Sequence, residues 1–393
     1  MSLLAVAEAQ ARLLALATPL PIENVRLIDA AGRWAAEDVV ARRTQPAADL
    51  SMMDGYAIRF ADMPGPWTVI GESRAGAGLN GRVGQGQAAR IFTGAPVPEG
   101  ADAILVQEEA ARDGDLLKLS GEGPAGPGSS IRPRGSDFAE GARLVGNGDL
   151  LTPGRIAAAA VGGHGMLSVR RRPRITLIST GDELVAPGKA ADGVMLPASN
   201  GVMLQALIGG TAVVRDAGII PDRLGALVTA FRTAVDADII VTTGGASVGD
   251  HDLVRPALAE AGASLDFWRI AMRPGKPLLA GKLGSTIILG LPGNPVSAFV
   301  TAHLFLLPLI ARLGGARNPI LQTERARLAA PLPAVGNRDD YVRATLSGGN
   351  VTPLPNQDSG ALSMLARADA LIVRPAGAAS ASVDEIVDIL RIA

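Results

Sequence analysis

Apolar and polar segments alternate through the middle of the chain, between about residues 173 and 317. Near-continuous apolar runs of strand length predict the strands "RITLIST", "TAVVRDAGII", "ADIIVTT", "SLDFWRIA" and "STIILGL". Longer segments with helical periodicity predict the helices "SNGVMLQALIG", "PDRLGALVTAFRTAV", "DLVRPALAEAG" and "PVSAFVTAHLFLLPLIARL". Strands that are apolar on both faces are typical of parallel sheets covered by helices. The predicted fold of this block is therefore a doubly wound, mostly parallel α/β domain.

Two of these helices carry start signals. Ser199 or Asn200 is available as an N-cap for the first helix, and Pro221 with Asp222 opens the second. In isolation, an N-cap role for Asp222 is at least as good an interpretation as a functional one.

The flanking segments have shorter apolar runs and more glycine and proline. We predict a small inserted β domain over residues 49–137 and a C-terminal β-barrel over 318–393. Residues 1–48 and 138–172 then form a helical and extended domain into which the β domain is inserted. The basic stretch "VRRRPR" precedes a predicted strand, and we interpret it as a solvated entry to a domain rather than a nucleic-acid site.

Two apolar segments resemble membrane or targeting sequences. Residues 283–311 contain no Asp, Glu, Lys or Arg, but "LPGNP" divides them, which predicts a buried strand and then a buried helix. The N-terminal segment lacks a basic start, and Glu8 and Arg12 interrupt it, so an ordinary helix is predicted there. We therefore expect a soluble, cytoplasmic protein.

Composition narrows the possible chemistry. The 393 residues carry a formal net charge of -1, which gives no electrostatic reason to expect nucleic acid or an anionic membrane as a partner. There is no cysteine, so disulfides, thiolate ligands and a cysteine nucleophile are excluded. The three histidines are far apart in sequence, which disfavours zinc. Any metal is expected to be a hard ion held by oxygen.

One short motif is a weak signal. "GAGLNG", residues 76–81, matches the glycine spacing of a dinucleotide-binding loop, but that function requires a helix to begin within it. The glycines at 84 and 86 disfavour a helix. We interpret the motif as a loop of the inserted domain.

The segment "VTTGGASVGDHDLV", residues 241–254, combines glycines with acids after a predicted strand. Its glycine amides and a serine hydroxyl suit an oxyanion, while Asp250 or Asp252 can instead cap the helix that follows. This segment alone leaves both interpretations open.

Other loops are expected at the same sheet edge, where α/β proteins bind ligands. "STGDEL" places Asp182 and Glu183 there, and "MRPGKP" places Arg273 and Lys276 around a turn. "LPGNP" adds a rigid loop whose amides can face a ligand. Cations and amides suit phosphates, and carboxylates suit a divalent cation that bridges those phosphates. The pattern predicts a Mg²⁺-assisted reaction on a nucleotide or phosphorylated cofactor.

Seven motifs together resemble one family. They are "SMMDGYAIR", "RIFTGAPVPEGADAILVQEE", "IRPRGSDF", "STGDEL", "TTGGASVGDHDLV", "MRPGKP" and "LPGNPVSAF". Their order is similar to that in molybdopterin molybdenumtransferases, the molybdate-insertion enzymes of molybdenum cofactor synthesis, which are related to the C-terminal part of gephyrin. The resemblance extends from about residue 5 to the end, with only general β character matched over the last seventy or so residues.

The resemblance implies a four-domain subunit and a homodimer whose active sites lie between one subunit's α/β domain and the partner's inserted domain. It implies a Mg²⁺-dependent reaction of adenylylated molybdopterin with molybdate that gives molybdenum cofactor and AMP. A molybdopterin adenylyltransferase is the implied protein partner, and neither nucleic acid nor membrane is expected.

The resemblance also implies site residues. The implied catalytic residues are Asp54, Thr93, Asp137, Glu183, Asp222 and Asp252. The implied cofactor-binding residues are Arg132, Gly244, Gly245, Ser247, Gly249, Arg273, Lys276, Pro292 and Pro295. Glu183 and Asp252 are the implied Mg²⁺ ligands, whereas Asp54, Thr93 and Asp137 would come from the partner subunit.

Two positions depart from the family pattern. Arg273 stands where many relatives have lysine, which changes the donor geometry. Asp250 stands where many have glutamate, and its shorter side chain favours Asp252 as the functional acid. Two alternatives are a non-catalytic scaffold like gephyrin and a nucleotide enzyme that shares only the α/β block, such as a molybdopterin adenylyltransferase.

Overall fold

The structure is a computed structural model that describes residues 3–189, 193, 195–234, 236–244 and 253–392, with backbone alone for 266–268. The chain begins with helix α1 (Val6–Ala15) and strands β1 (Ile22–Arg26) and β2 (Val39–Val40). The helix predicted at the N-terminus is thus confirmed, and it buries Val6, Ala9 and Leu13 in the core of the α/β domain.

The next segment folds into the inserted β domain. Its strands are β3 (Leu50–Ser51), β4 (Gly55–Ile58), β5 (Trp67–Ser73), β6 (Gln87–Ile91), β7 (Ala103–Val106), β8 (Ala110–Asp113), β9 (Leu116–Leu119) and β10 (Ile131–Arg132). Six of them form a sheet in the order β7-β4-β6-β5-β9-β8, and β3 pairs with β10. Residues 76–81 lie in turns after β5 without a helix, so the interpretation of "GAGLNG" as a loop is confirmed.

The chain then returns to its first domain through β11 (Arg143–Val145), helix α2 (Pro153–Val161) and β12 (Met166–Arg170). Strand β11 pairs with β2, and β12 pairs with β1, both antiparallel.

The interpretation of "VRRRPR" as a solvated entry was wrong. Arg171 binds Asp238 through two hydrogen bonds of 2.7 Å each. Arg170 donates to the Leu20 carbonyl at 2.9 Å. Arg171 joins the first domain to the α/β domain, whereas the Arg170 bond lies within the first domain.

The α/β domain follows the predicted alternation. Its strands are β13 (Arg174–Thr180), β14 (Leu184–Val185), β15 (Leu196–Pro197), β16 (Val213–Ile220), β17 (Ile239–Thr243), β18 (Ser264–Arg269), β19 (Met272–Arg273), β20 (Pro277–Leu283) and β21 (Thr286–Leu291). Its helices are α3 (Ser199–Ile208), α4 (Leu224–Thr233), α5 (Val254–Glu260), α6 (Pro295–Thr301) and α7 (Leu307–Leu313), with a π-helical turn at Ala302–Leu306 between the last two.

The central sheet has the order β16-β13-β17-β21-β20-β18. Its first four strands are parallel, and β20 and β18 are antiparallel additions. Separate apolar cores cover the two faces of the sheet. The predicted doubly wound, mostly parallel fold is confirmed.

Two local predictions in this domain were wrong. Helix α3 begins at Ser199, and its N-cap Ala198 provides no side-chain cap, so neither Ser199 nor Asn200 caps it. Helix α4 begins at Leu224 with Arg223 as N-cap, so Asp222 does not cap that helix.

The segment α6–α7 is long and apolar enough to cross a membrane, with a mean hydropathy of 1.8. However, 89% of an 18-residue stretch within this segment is buried inside the protein. Strand β21 and this helix confirm that residues 283–311 form a buried strand and a buried helix.

The C-terminal domain contains β22 (Glu324–Leu328), β23 (Asp339–Ser347), β24 (Asn350–Pro353), helix α8 (Leu362–Leu365), β25 (Ala370–Arg374) and β26 (Ile386–Arg391). Pairing of β23 with β25 closes β23-β24-β22-β26-β25 into a barrel, as predicted. Strand β19 of the α/β domain pairs with β23, which attaches the barrel beside the central sheet. Every predicted domain boundary falls between two elements, and the boundaries themselves remain predictions.

Candidate active site

Four parallel strands end at one edge of the central sheet. Thr180 at the end of β13 is in register with Ile220, and Thr243 at the end of β17 is in register with Leu291. The loops that follow carry the predicted site residues of the α/β domain except Arg273 and Lys276, which lie between β18 and β20. The fold therefore brings these loops together, because parallel strands share the direction of their carboxyl ends.

A cleft of about 770 Å³ lies at this edge. Five predicted residues line it: Glu183, Gly244, Lys276, Pro292 and Pro295. Polar side chains that were not predicted also line it, namely the hydroxyls of Ser179, Thr180, Ser199, Thr243 and Ser297 and the amides of Asn200 and Asn294. Among its described lining residues, the cleft thus combines one cation, one carboxylate and many neutral hydrogen-bonding groups.

Glycines allow the cleft loops to pack closely. Gly244 has φ of 92°, and a Cβ there would lie 2.7 Å from the Thr180 carbonyl oxygen. Gly181 has φ of 144°, and a Cβ there would lie 2.5 Å from Glu183 Oε2. Any larger residue at these positions would have to displace a neighbouring loop or the Glu183 carboxylate.

Carboxylates crowd together beside the cleft. The Asp222 amide donates a hydrogen bond of 3.1 Å to Asp182 Oδ1. Burial raises the pKa of Asp222, and the negative charges of Asp182 and Glu183 raise it further. Asp222 itself is half-buried and does not line the cleft. Within the described ranges, no three His, Cys, Asp or Glu side chains form a ready metal-binding group.

The predicted basic pair meets at a second cavity beside the cleft. Arg273 lies outside the cleft and lines an adjacent seam cavity of about 290 Å³ between the α/β domain and the barrel, whereas Lys276 lines both. Arg338 of the C-terminal domain adds a third cation to the seam cavity. Burial raises the pKa of nearby Asp340, while the charges of Arg273 and Arg338 oppose that rise.

The C-terminal domain contributes to the cleft through the loop after β24. Gly360 and Leu362 line the cleft itself. Ser359 accepts hydrogen bonds from the Val296 amide at 3.2 Å and from Asn294 Nδ2 at 3.0 Å. Sequence reasoning missed this loop, since its residue types carry no functional signal.

The predicted residues of the inserted domain form a separate group. Asp54 Oδ1 accepts hydrogen bonds from the Thr93 amide at 2.7 Å and from the Thr93 hydroxyl at 2.8 Å. These two bonds lower the pKa of Asp54. Arg132 and Asp137 are exposed. Among the residues that the structure describes, none of these four lines the cleft.

Part of the glycine loop cannot be placed in this geometry. Gly245, Ser247, Gly249, Asp250 and Asp252 lie outside the described residues. The choice between Asp250 and Asp252 therefore stays a prediction.

Three family models match successive parts of the chain. Residues 4–163 match the MoeA N-terminal region (domain I and II), residues 176–312 match a probable molybdopterin binding domain, and residues 325–392 match the MoeA C-terminal region (domain IV). A solved structure of the molybdopterin biosynthesis MoeA protein from Pyrococcus horikoshii OT3 covers 100% of both chains with a TM-score of 0.82 and 27% identity.

Curated relatives agree with these matches. Molybdopterin molybdenumtransferase 2 of Mycobacterium tuberculosis is 36% identical over 370 residues, which cover 90% of each chain. Molybdopterin molybdenumtransferase of Haemophilus influenzae is 37% identical over 304 residues, which cover 76% of this chain and 75% of that protein. With the cleft, the inserted domain and the barrel all present, the chain belongs to the molybdopterin molybdenumtransferase family of molybdenum cofactor biosynthesis enzymes.

Proposed function

We propose that the protein catalyses Mg²⁺-dependent insertion of molybdate into adenylylated molybdopterin, which forms molybdenum cofactor and releases AMP. The observation that carries this proposal is the cleft at the sheet edge, where Lys276 and neutral donors lie near the crowded carboxylates. A ligand that carries phosphates together with a divalent cation matches both sets of groups.

Lys276 and the cleft loops are assigned to the phosphates. Lys276 is half-buried, so its ammonium group is less screened than one on the open surface. Gly244 lines the cleft, and the lack of a side chain there lets its loop pack against Thr180. The proline-braced loop at 292–295 supplies a rigid opposite wall.

The carboxylates fit a magnesium ion. Mg²⁺ commonly takes one or two protein carboxylates and completes its shell with water and substrate phosphates, so a full protein ligand set is not required. Burial raises the pKa of Asp222, and the negative charges of Asp182 and Glu183 raise it further, so a cation near these acids would favour their ionised forms. Glu183 and Asp252 would hold the ion, which supplies charge neutralisation at the phosphoanhydride.

The seam cavity suits molybdate. Arg273, Lys276 and Arg338 line it together with the hydroxyls of Ser297 and Ser359. Asp358 also lines it, and its carboxylate accepts a hydrogen bond of 2.7 Å from the Gly360 amide. Three cations and two hydroxyl donors match a small dianion with four oxygens. Because Lys276 lines both cavities, molybdate bound there would lie next to the pterin substrate.

We also propose that the active unit is a homodimer in which Asp54, Thr93, Arg132 and Asp137 of one subunit complete the cleft of the other. In support, Asp54 is held ionised by Thr93, although neither residue lines the cleft of its own chain. The absence of cysteine suits a reducing cytoplasm, where we place the protein.

The central assay follows AMP release from adenylylated molybdopterin with Mg²⁺ and molybdate. Glu183→Gln should lower the rate about a hundredfold, because one charged metal ligand is replaced by a neutral one. Glu260→Gln, an exposed acid at the end of α5, serves as the matched control and should behave like the wild type. Equal rates for wild type and Glu183→Gln would refute the catalytic assignment.

Mixing inactive variants tests the shared site. Asp54→Ala and Glu183→Gln proteins, unfolded and refolded together, should recover about a quarter of wild-type activity, because half of the dimers are mixed and each holds one intact site. Each variant refolded alone is the control. Recovery no greater than the sum of these two controls would refute the exchange of residues between subunits.

A further inference from the structure

Arg343 is a buried cation in the C-terminal barrel. It lies on β23 with only 1% of its surface exposed. Its chain neighbours Val342 and Ala344 belong to the barrel core, so the alternation of side chains along the strand places Arg343 on the opposite face. In the described part of the chain, it forms no ion pair with a carboxylate within 4 Å. Burial lowers its pKa, because an apolar surrounding disfavours the charged form.

The guanidinium is instead occupied by one loop. Its Nη1 donates to the Asp358 carbonyl at 3.0 Å, and its Nη2 donates to the Asn356 carbonyl at 3.1 Å. Gln357 returns two bonds to the Arg343 backbone, accepting from its amide at 3.0 Å and donating to its carbonyl at 2.9 Å. Arg343 therefore holds this turn of the chain through the fixed geometry of its donors.

The other side of the same loop faces the candidate active site. Ser359 binds Asn294 and Val296, which belong to the proline loop and to the first turn of α6. Gly360 lines the cleft, and Asp358 and Ser359 line the seam cavity. A continuous set of hydrogen bonds thus leads from Arg343 to the walls of both cavities.

We infer that Arg343 is a positioning residue for the reaction, which acts by fixing the loop 356–360 against the α/β domain. The predicted effect on KM rests on the proposed function. A lysine would keep the charge, but its single nitrogen cannot span both carbonyls. The loop would then shift, and the seam cavity would lose the placement of Ser359 while its three cations remain.

The test compares Arg343→Lys with Arg374→Lys. Arg374 is a matched control because it is also buried in the barrel, at 5% exposure, and binds the Ala379 carbonyl in a loop that lines neither cavity. In the AMP-release assay, Arg343→Lys should raise KM for molybdate about tenfold or more, since displacement of a binding group by about 1 Å has effects of this size. Arg374→Lys should leave KM for molybdate within about twofold of the wild type.

Hydrogen–deuterium exchange gives a readout that does not depend on activity. Arg343→Lys should speed exchange in residues 356–362 and at the Val296 amide, while β23 and β25 stay protected. In Arg374→Lys these segments should exchange as in the wild type.

The outcomes separate the two proposals. Unchanged exchange at 356–362 in Arg343→Lys would overturn the positioning role even if the enzyme is active. Equal changes in KM and melting temperature in both variants would also overturn it, since that pattern indicates a purely structural role. A wild-type protein that releases no AMP would refute the proposed function, while the exchange experiment would still decide whether Arg343 positions the loop.

Discussion

The cleft loops of the α/β domain and the Asp54–Thr93 turn of the inserted domain use similar residues in opposite ways. Each region contains an aspartate and a glycine of positive φ, namely Asp222 and Gly244 at the edge of the central sheet and Asp54 and Gly94 in the inserted domain. In the cleft region, burial and neighbouring acids raise the pKa of the aspartate, whereas hydrogen bonds from Thr93 lower the pKa of Asp54. A Cβ on Gly244 would collide with Thr180, whereas a Cβ on Gly94 would meet nothing within 4 Å. The cleft is crowded and short of positive charge, while the turn is open and electrostatically satisfied.

The largest expected effect concerns charge in the cleft. Lys276→Met should reduce AMP release about a hundred- to a thousandfold, because it removes a cation shared by the cleft and the seam cavity. Lys282→Met is the control, since Lys282 is also half-buried, lies on the same β-hairpin and lines neither cavity. A similar loss in both variants would indicate damage to the hairpin and not loss of a ligand.

The second prediction tests the difference in crowding. Gly244→Ala should lower the free energy of unfolding by about 3 kcal/mol or more, because it combines a strained φ with a steric clash. Gly94 has a similar φ of 79°, but a Cβ there would meet open space. Gly94→Ala should therefore lower the free energy of unfolding by only about 1 kcal/mol. Urea unfolding of both variants measures the difference. If both substitutions lower the free energy of unfolding by the same amount, crowding of the cleft loops has no energetic consequence.

The third prediction concerns Thr93. Thr93→Val removes one of the two hydrogen bonds to Asp54 and should lower AMP release about three- to tenfold, the size expected for one hydrogen bond. Thr93→Ser keeps the hydroxyl and should retain activity. If valine and serine behave alike, the hydroxyl has no role in orienting Asp54.

The smallest effects concern the pH dependence of stability. Because the pKa of Asp54 is lowered in the folded protein, its carboxylate stabilises the fold at pH values above 3.8, the usual pKa of an aspartate. This contribution to stability is lost as pH falls through the lowered pKa. The raised pKa of Asp222 has the opposite effect. Its protonated side chain stabilises the fold at acid pH, and this contribution to stability is lost as pH rises through the raised pKa. Asp54→Asn should therefore melt lower than wild type near neutral pH, whereas Asp222→Asn should melt slightly higher.

The differences in melting temperature between each of these two variants and the wild type should diminish at about pH 3.5. For Asp222 the gain should be at most a few tenths of a kcal/mol, because the side chain is partly exposed and screened. Melting curves of the two variants at both pH values check the opposite signs. A shift of the same sign in both would contradict the contrast between the two regions.

Sequence patterns were sufficient for the architecture and for part of the site. The apolar runs ending at Thr180, Thr243 and Leu291 predicted parallel strands, and their carboxyl ends predicted which loops would meet. Strand β20 was missed, although both of its partners, β18 and β21, are close along the chain, since "KPLLAGKL" follows a predicted turn and was not separated from it as a strand.

Contacts between domains could not be predicted in the same way. Nothing in the sequence around Ser359 and Gly360 indicates that they meet the proline loop, because this contact depends on how the barrel attaches through β19 and β23. The seam cavity has the same origin: the spacing of Arg273 and Lys276 predicts a shared ligand, but the cavity that both residues line is completed by the barrel.

The apolar segment α6–α7 has a practical consequence for mutagenesis. Its first residue, Pro295, is in the wall of the cleft, and the rest is buried between the central sheet and α1. A substitution that loosens this segment would expose one of the most apolar stretches of the chain to other molecules during synthesis. Variants at the proline loop are therefore expected to appear in cells as aggregated protein, so their soluble yield must be measured before their catalytic rates are compared.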